Sequence, residues 1–233
     1  MGVYYTPRPV VHFIVNSINH LLKNDFNKLN GFADDDVTVL DPAVGTGTFL
    51  WLIYTLTLVE LKKKALGGLI SKKIPNHILK DFYGLEILIT PYIIAHLKLS
   101  LALKKWFYEL KDDERHQVYL ANTLEPSESH GLIPFMRELN EESKIANELK
   151  SKKKILVVTS NPPYRGMSAN KGPWIQDLLK KGYTREDGVK DNGYYQIDGK
   201  PLVERNPKWL QDDYVKFIRF AQWKIDTAGE GVI

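Results

Sequence analysis

Four short stretches hold residue types that could do chemistry together. The first is Asp41-Pro42-Ala43-Val44-Gly45-Thr46-Gly47, where Gly45 and Gly47 allow positive φ and a close approach of backbone to a ligand. A helix starting just after it would turn its free N–H groups toward a carboxylate or phosphate. The second is Glu86, whose carboxylate can accept hydrogen bonds from two ribose hydroxyls. The third is Asn122, a polar residue just after an apolar run. The fourth is Asn161-Pro162-Pro163-Tyr164. Its asparagine offers a side-chain carbonyl, its prolines stiffen the backbone and so fix a carbonyl direction, and its tyrosine presents a flat ring. Two acceptors and a stacking plate suit an exocyclic amine on a planar ring. Each stretch also has a plain reading: a strand-to-helix turn, a surface carboxylate, a Pro-Pro turn. The glycine pair lacks the third glycine of the dinucleotide fingerprint and the Gly-Lys-Ser/Thr of a P-loop, which disfavours nucleoside triphosphates. A ligand with an adenosine and a carboxylate but no phosphates satisfies both the glycine loop and Glu86.

These stretches need elements to position them. Val37–Leu40 reads as a short buried strand that ends at Asp41, and a helix follows from Phe49 to about Lys64, with Gly67-Gly68 beyond it. Phe82–Leu85 reads as a second strand that ends at Glu86, with Thr90-Pro91 starting a helix that runs to about Leu110. Gln117–Leu120 is a third strand, ending near Asn122, and Ile155–Thr159 a fourth, ending at Asn161. A helix is expected from Pro134 to Lys150 between them. Upstream, Thr6-Pro7 reads as a cap and first turn of a helix to Leu22 with Val10, Val11, Ile14, Ile18 and Leu21 on one face. Strand and helix alternate, which predicts an α/β fold: a doubly wound, mostly parallel sheet with helices on both faces. In such sheets ligands bind outside the carboxyl ends of the strands, where Asp41, Glu86, Asn122 and Asn161 all fall. Residues 165–207 show no sustained period and read as a long loop, and Asp212–Ile225 reads as a helix with Tyr214, Phe217, Ile218, Ala221 and Ile225 on one side.

Composition removes other classes. The 233 residues include no cysteine, which excludes disulfide scaffolds, thiolate metal sites and cysteine nucleophiles. The six histidines, His12, His20 and His96 among them, lack the spacing of a metal site. No apolar run is long enough to span a bilayer, and the N-terminus has no secretory layout, so a cytoplasmic location is the default. Net charge is +4, which permits a polyanionic partner without requiring one. The triplets Lys62–Lys64 and Lys152–Lys154 read as solvated faces.

Taken together, the chain resembles the S-adenosylmethionine-dependent adenine-N6 DNA methyltransferases in which the cofactor motifs come first. Asp41–Phe49 is similar to that family's cofactor loop, Asn161-Pro162-Pro163-Tyr164 to its catalytic motif, and Tyr4-Tyr5-Thr6-Pro7 to its extra N-terminal motif. Nearly the whole chain is covered. The stretch from Asn206-Pro207-Lys208-Trp209-Leu210 to Phe220-Ala221-Gln222-Trp223 resembles a narrower group, large single-polypeptide restriction-modification enzymes. In these the methyltransferase sits between a helicase-like part and a target-recognition domain. The resemblance implies a Rossmann-like class I methyltransferase fold, S-adenosylmethionine as cofactor, and double-stranded DNA with a flipped adenine as partner, with no membrane and no metal. By the same resemblance, Tyr5, Thr6 and Pro7 would help hold the cofactor's methionine end, and Asp41, Ala43, Gly45 and Gly47 would line its loop. Glu86 would bind the ribose. Asn122 would accept a hydrogen bond from the cofactor's adenine amine, where the family usually has aspartate. Phe49 is placed either near the cofactor or in the core.

The implied chemistry is specific. The N6 amine of adenine is conjugated with its ring and is a poor nucleophile. Hydrogen bonds to the Asn161 side-chain oxygen and the Pro162 carbonyl would draw it toward tetrahedral geometry, its lone pair aimed at the sulfonium methyl. Tyr164 would stack on a base that has left the duplex. Rival readings are a methyltransferase on a protein glutamine or an RNA base amine, and a cofactor-binding piece inactive on its own. Family folds have seven strands. Only four are complete by Ser160, and Gly229–Ile233 reads as the entry to a fifth, so the expectation is a catalytic core truncated there, with no target-recognition domain. Within it, residues 1–30 form an N-terminal helical segment and 165–207 a DNA-facing loop.

Overall fold

Val39-Leu40 and Phe82-Tyr83-Gly84-Leu85 are fully buried runs, the pattern of strands covered on both faces of a parallel sheet. The computed structural model describes residues 5–64, 67–125, 137–164, 168–204 and 207–233. The chain divides into two compact units.

The first unit holds Tyr5–Leu120 and Thr159–Asn161. In order it contains α1 (Arg8–Asn24), β1 (Val39–Asp41), α2 (Thr48–Lys63), the short helices α3 (Ile70–Lys73) and α4 (Leu79–Asp81), β2 (Phe82–Glu86), α5 (Ile89–Lys104) and β3 (Gln117–Leu120). β1, β2 and β3 pair in parallel, with Asp41 opposite Gly84 and Glu86 opposite Leu120. Beyond β1, the Thr159 N–H donates to the Leu40 carbonyl at 3.0 Å, so the segment that carries Asn161 lies alongside the strand that carries Asp41. α2 packs against both α1 and α5. Its buried Phe49, Leu50, Ile53, Tyr54 and Leu58 form the middle of the core, each side chain worth about 1.5–3 kcal/mol. Phe49 is therefore a core residue. β2 reaches this layer closely: a Cβ on Gly84 would sit 3.0 Å from Val44 Cγ2 and 3.2 Å from Leu50 Cδ1. His116 is buried between Tyr54 Oη and Ser100 Oγ, and burial pushes it down to about 3, so it serves the core as a neutral ring.

Several boundaries differ from expectation. Pro7, not Thr6, stands at the cap of α1, with no side-chain cap bond. The buried face is Val11, Val15, Ile18 and Leu22, while Val10 and Leu21 are exposed. α5 begins at Ile89, so Thr90-Pro91 lies inside its first turn. It ends at Lys104, because Phe107 takes φ +57° and the Trp106 and Tyr108 N–H groups bond back to Leu103. On its outer side Ile89, Ile93, Leu97 and Leu101, one turn apart, are each more than half exposed.

The second unit includes Ala121–Val158 and Pro162–Ile233. It contains α6 (Arg137–Ser151), β4 (Val157–Val158), α7 (Pro173–Lys180), the hairpin strands β5 (Tyr183–Thr184) with β6 (Lys190–Asp191) and β7 (Gln196–Ile197) with β8 (Lys200–Pro201), and α8 (Asp213–Asp226). The expected start of α6 at Pro134 lies outside the described residues, as do Tyr4, residues 165–167 and Asn206. The stretch expected to be one long loop carries α7 and two hairpins instead. α7 opens with Pro173 in its first turn and buries Ile175, Leu178 and Leu179, eight residues being too few for a visible period. Val232 forms a parallel bridge to Val157, with bonds of 2.9 and 2.8 Å, where the entry to a further strand was expected.

α8 buries cations as well as apolar side chains. Its Asp212 cap accepts the Tyr214 N–H, and Tyr214 and Ile218, expected on the core side, are partly exposed. Arg219 donates to the Leu178 carbonyl and to Asp191, and it lies 4.7 and 4.8 Å from the ring centres of Tyr183 and Tyr194. Lys224 Nζ donates to the carbonyls of Leu149 and Lys150 at 2.9 and 2.8 Å, satisfying the last turn of α6. Lys150 Nζ reaches the carbonyls of Asn122 and Glu125 at 3.0 and 2.6 Å.

Burial pushes both Lys150 and Lys224 down to about 8. An unfolded lysine titrates near 10.4, so between pH 8 and that value the unfolded chain binds more protons, and stability rises with pH. Urea midpoints should therefore increase from pH 7.5 to 9.5, worth roughly 1–3 kcal/mol in all. In Lys224→Met, which keeps the stem but cannot titrate, about half of that increase should disappear. An equal increase in both proteins would overturn the assignment.

Candidate functional site

The carboxyl ends of β1 and β2 bring the first group of site residues together. Asp41 closes β1 and is completely buried. Its Oδ1 accepts the Ser160 hydroxyl at 2.7 Å and the Ala43 N–H at 3.2 Å, whereas its Oδ2 has no partner among the described residues. Burial pushes the carboxyl up to about 7. The bonds from Ser160 and Ala43 oppose that rise, and the charge of Glu86 adds to it. A buried acceptor left without a donor is costly, which makes Oδ2 a place where a ligand's N–H group would be stabilising.

The glycine loop folds over this carboxylate's strand. Gly45 has φ +53° and Gly47 φ +75°, the left-handed region in which glycine is at ease. Gly47 caps α2 directly, and a Cβ there would meet Ala95 of α5 at 3.3 Å. Glu86 braces the loop: Oε2 accepts the Gly45 N–H and Oε1 the Leu88 N–H, both at 2.9 Å. Each carboxylate oxygen has a second acceptor position, so these bonds leave capacity for hydroxyl donors. Lys98 of α5 donates to Thr48 Oγ1 at 2.8 Å at the start of α2, and burial, with Arg8 nearby, pushes its ammonium below the ordinary lysine range.

Asn161 follows Ser160 and is partly buried. One hydroxyl thus ties the residue before Asn161 to the strand end that begins the glycine loop. Tyr5, Thr6 and Pro7 lead into α1 in the same unit. Tyr5 is largely exposed, and among the described residues no hydrogen bond joins the three to the glycine loop.

Pro162, Pro163, Tyr164 and Asn122 belong to the second unit. There the Tyr164 ring stacks on Tyr214 of α8, with centres 5.1 Å apart and planes 19° from parallel, and Tyr164 remains 54% exposed. One side of the tyrosine plate is thereby backed. Asn122 is held three ways. Its Nδ2 donates to Asn170 Oδ1 at 2.8 Å, its Oδ1 accepts the Leu124 N–H at 3.0 Å, and its carbonyl accepts Lys150.

Sequence reasoning missed Ser160, Lys98 and Tyr214. Ser160 could have been found, since it precedes Asn161 and a hydroxyl there can reach a neighbouring strand end. Lys98 and Tyr214 gave no signal, because their roles depend on packing between helices. Among the described residues no group of His, Asp and Glu is placed to hold a metal ion, and no helix is long and apolar enough to cross a membrane.

Comparison with solved structures finds the same fold in much larger proteins. A nuclease-deletion mutant of the Type ISP restriction-modification enzyme LlaGI, in complex with a DNA substrate mimic, matches 99% of this chain and 18% of its own, with 23% identity and a TM-score of 0.70. DrdV in a DNA complex matches 99% of this chain and 20% of its own, with 24% identity and a TM-score of 0.66. The ATP-dependent Type ISP restriction-modification enzyme LlaBIII bound to DNA matches 97% and 14%, with 24% identity and a TM-score of 0.65. The chain therefore spans a fifth or less of these proteins' length. No curated protein matches it. The model of the N-6 DNA methylase family matches residues 1–202, which hold the Tyr-Thr-Pro segment, the glycine loop, Glu86, Asn122 and Asn161–Tyr164, and the chain belongs to that family.

Proposed function

We propose that the chain transfers the methyl group of S-adenosylmethionine to N6 of an adenine turned out of double-stranded DNA. It would do so in the cytoplasm, as the methyltransferase part of a larger restriction-modification polypeptide with helicase, nuclease and target-recognition segments. The observation that carries the reading is the bare Asp41 Oδ2, buried at the head of the glycine loop in a chain of this family. An ammonium or amide donor is what that oxygen lacks, and the cofactor's methionine end provides one. Glu86 keeps acceptor capacity for the ribose, and Asn122 has an amide oxygen for the adenine amine.

S-Adenosylmethionine supplies the electrophilic methyl on its sulfonium. The protein's part is orientation. Asn161 Oδ1 and the Pro162 carbonyl would accept hydrogen bonds from the two N6–H groups, drawing the amine toward tetrahedral geometry and stabilising the positive charge it gains as the methyl leaves S-adenosylhomocysteine behind. The cationic methylated amine, a strong acid, would then release one proton to solvent, so no strong general base is needed. Tyr164, backed by Tyr214, stacks on the base, worth about 1–3 kcal/mol against the cost of unstacking it from the duplex. In the segment after Tyr164, exposed Lys171, Lys180, Lys190 and Lys200 would reach the DNA backbone, interspersed with the exposed carboxylates of Asp177, Glu186, Asp187, Asp198 and Glu204. Trp174 is instead packed against Phe220 and Trp223.

A filter assay with labelled cofactor tests the reading. Unmethylated DNA should accept label, whereas DNA already methylated at N6 and protein glutamine substrates should not. Cofactor binding without transfer to any of them would support an inactive piece instead. Asn161→Ala should reduce transfer by at least about 100-fold while cofactor affinity, measured by calorimetry, changes by less than about threefold. Equal losses of both would overturn the role.

Asp41→Asn should weaken cofactor binding by roughly 10–100-fold, the range for a hydrogen bond to a charged group. The sign with pH follows from the raised pKa near 7: the ionised carboxylate, which receives the ammonium, gains population as pH rises. Wild-type affinity should therefore increase from pH 6 to 7.5, and that of Asp41→Asn should stay flat.

A further inference from the structure

An aspartate accepts hydrogen bonds whichever way it turns. An asparagine does not, since a half-turn of its amide exchanges oxygen for NH2 with little change of shape. Asn122 therefore raises a question that the family's usual residue would not: what decides which end of the amide meets a ligand?

The answer lies in a chain of hydrogen bonds within the second unit, with a donor-only and an acceptor-only group at its far end. Asp213 of α8 is buried, and its carboxylate can only accept. Its Oδ1 takes the Asn170 Nδ2 at 3.0 Å and the Ser168 hydroxyl at 2.5 Å. Lys216, one turn further along α8 and completely buried, can only donate. It gives its Nζ protons to Ser168 Oγ at 2.5 Å and to the Asn170 carbonyl at 2.6 Å. With Ser168 receiving from Lys216, its own proton goes to Asp213. Asn170 must then turn NH2 toward Asp213, which leaves its Oδ1 toward Asn122. Asn122 must answer with its own NH2, at 2.8 Å, and its Oδ1 falls on the side where the Leu124 N–H, another obligate donor, meets it at 3.0 Å. Both ends of the sequence of bonds agree, and reversing either amide would set oxygen against oxygen or NH2 against N–H in a half-buried setting. The Asn122 carbonyl, held by Lys150, fixes the backbone as well.

We propose that Asp213 and Lys216 are positioning residues which, through Ser168 and Asn170, lock the Asn122 amide as a hydrogen-bond acceptor for the exocyclic amine of the cofactor's adenine ring. This rests on the cofactor reading above. It makes an asparagine behave as an aspartate would, without placing a further negative charge beside Asp213.

The test compares two ligands by calorimetry: S-adenosylhomocysteine, and its inosine counterpart, in which an exocyclic carbonyl oxygen replaces the amine. Wild type should prefer the amine by at least about tenfold. In Asp213→Asn the new amide can donate or accept, the relay loses its polarity, and the preference should fall to about threefold or less. Asn122→Asp alone forces Asn170 to turn its oxygen onto Asp213 and should bind poorly. The double variant Asn122→Asp/Asp213→Asn permits that turn and should regain the preference, an outcome that a merely misfolded Asp213→Asn cannot produce. A second readout needs no ligand: the side-chain NH2 signals of Asn122 and Asn170 should exchange slowly with solvent in wild type and faster in Asp213→Asn. Binding of S-adenosylhomocysteine with undiminished preference in Asp213→Asn, or unchanged amide exchange, would overturn the relay. Failure of wild type to bind either ligand, with slow amide exchange intact, would instead overturn the cofactor reading.

Discussion

One buried carboxylate organises the first unit. Asp41 ends a strand covered on both faces and is completely buried, and the groups around it meet the needs of one of its oxygens. Ala43 and Ser160 supply two donors to one oxygen. The Ser160 bond fixes where the chain stands one residue before Asn161, and the Ala43 bond sets the first bend of the glycine loop. Had the second oxygen also been satisfied internally, the loop would be a closed structural turn. Because it is not, the same residue that orders the loop also keeps one acceptor without a partner among the described residues, which is what the proposed cofactor reading builds on. Glu86 complements it by holding Gly45 and Leu88, so two carboxylates at neighbouring strand ends share the work of shaping one loop.

The second unit meets a comparable need with cations. Lys150, Lys216, Arg219 and Lys224 are nearly or wholly buried, yet each donates to backbone carbonyls that helix ends and loops would otherwise leave bare. Burying a charge costs several kcal/mol unless its donors are used, so such residues fix conformation more than they add stability. α8 supplies three of the four and reaches α6, α7 and the Ser168–Asn170 loop with them. Its apolar residues settle which way it faces; its cations settle what lies against it.

The sequence was legible where short-range patterns carry the information. β3 and the end of β2 fall at the expected residues, because buried parallel strands are apolar runs closed by a polar residue, and the loop at Gly45 and Gly47 needs the positive φ that glycine permits. Caps were less legible. Thr6-Pro7 and Thr90-Pro91 have the right types, but proline fixed the backbone without either threonine side chain capping. α7 escaped notice because Gly, Lys and Asp surround a single apolar stripe of eight residues. The Asn122 relay could not be read at all. It joins positions 122, 168, 170, 213 and 216, and its content is direction rather than residue type. Only packing brings Asp213 beside Asn170 and so tells one end of an amide from the other.

The bare side of α5 has a consequence of another kind. Ile89, Ile93, Leu97 and Leu101 form a four-turn apolar strip in contact with water, on the helix whose opposite side, through Ala95, supports Gly47. Excluded salts such as sulfate raise the cost of hydrating such a strip, and they do so for the isolated chain before they improve its already buried core. Its colloidal behaviour should thus depend in part on this one helix, and polar substitutions at these four positions would act on solubility while leaving the loop that Ala95 supports untouched.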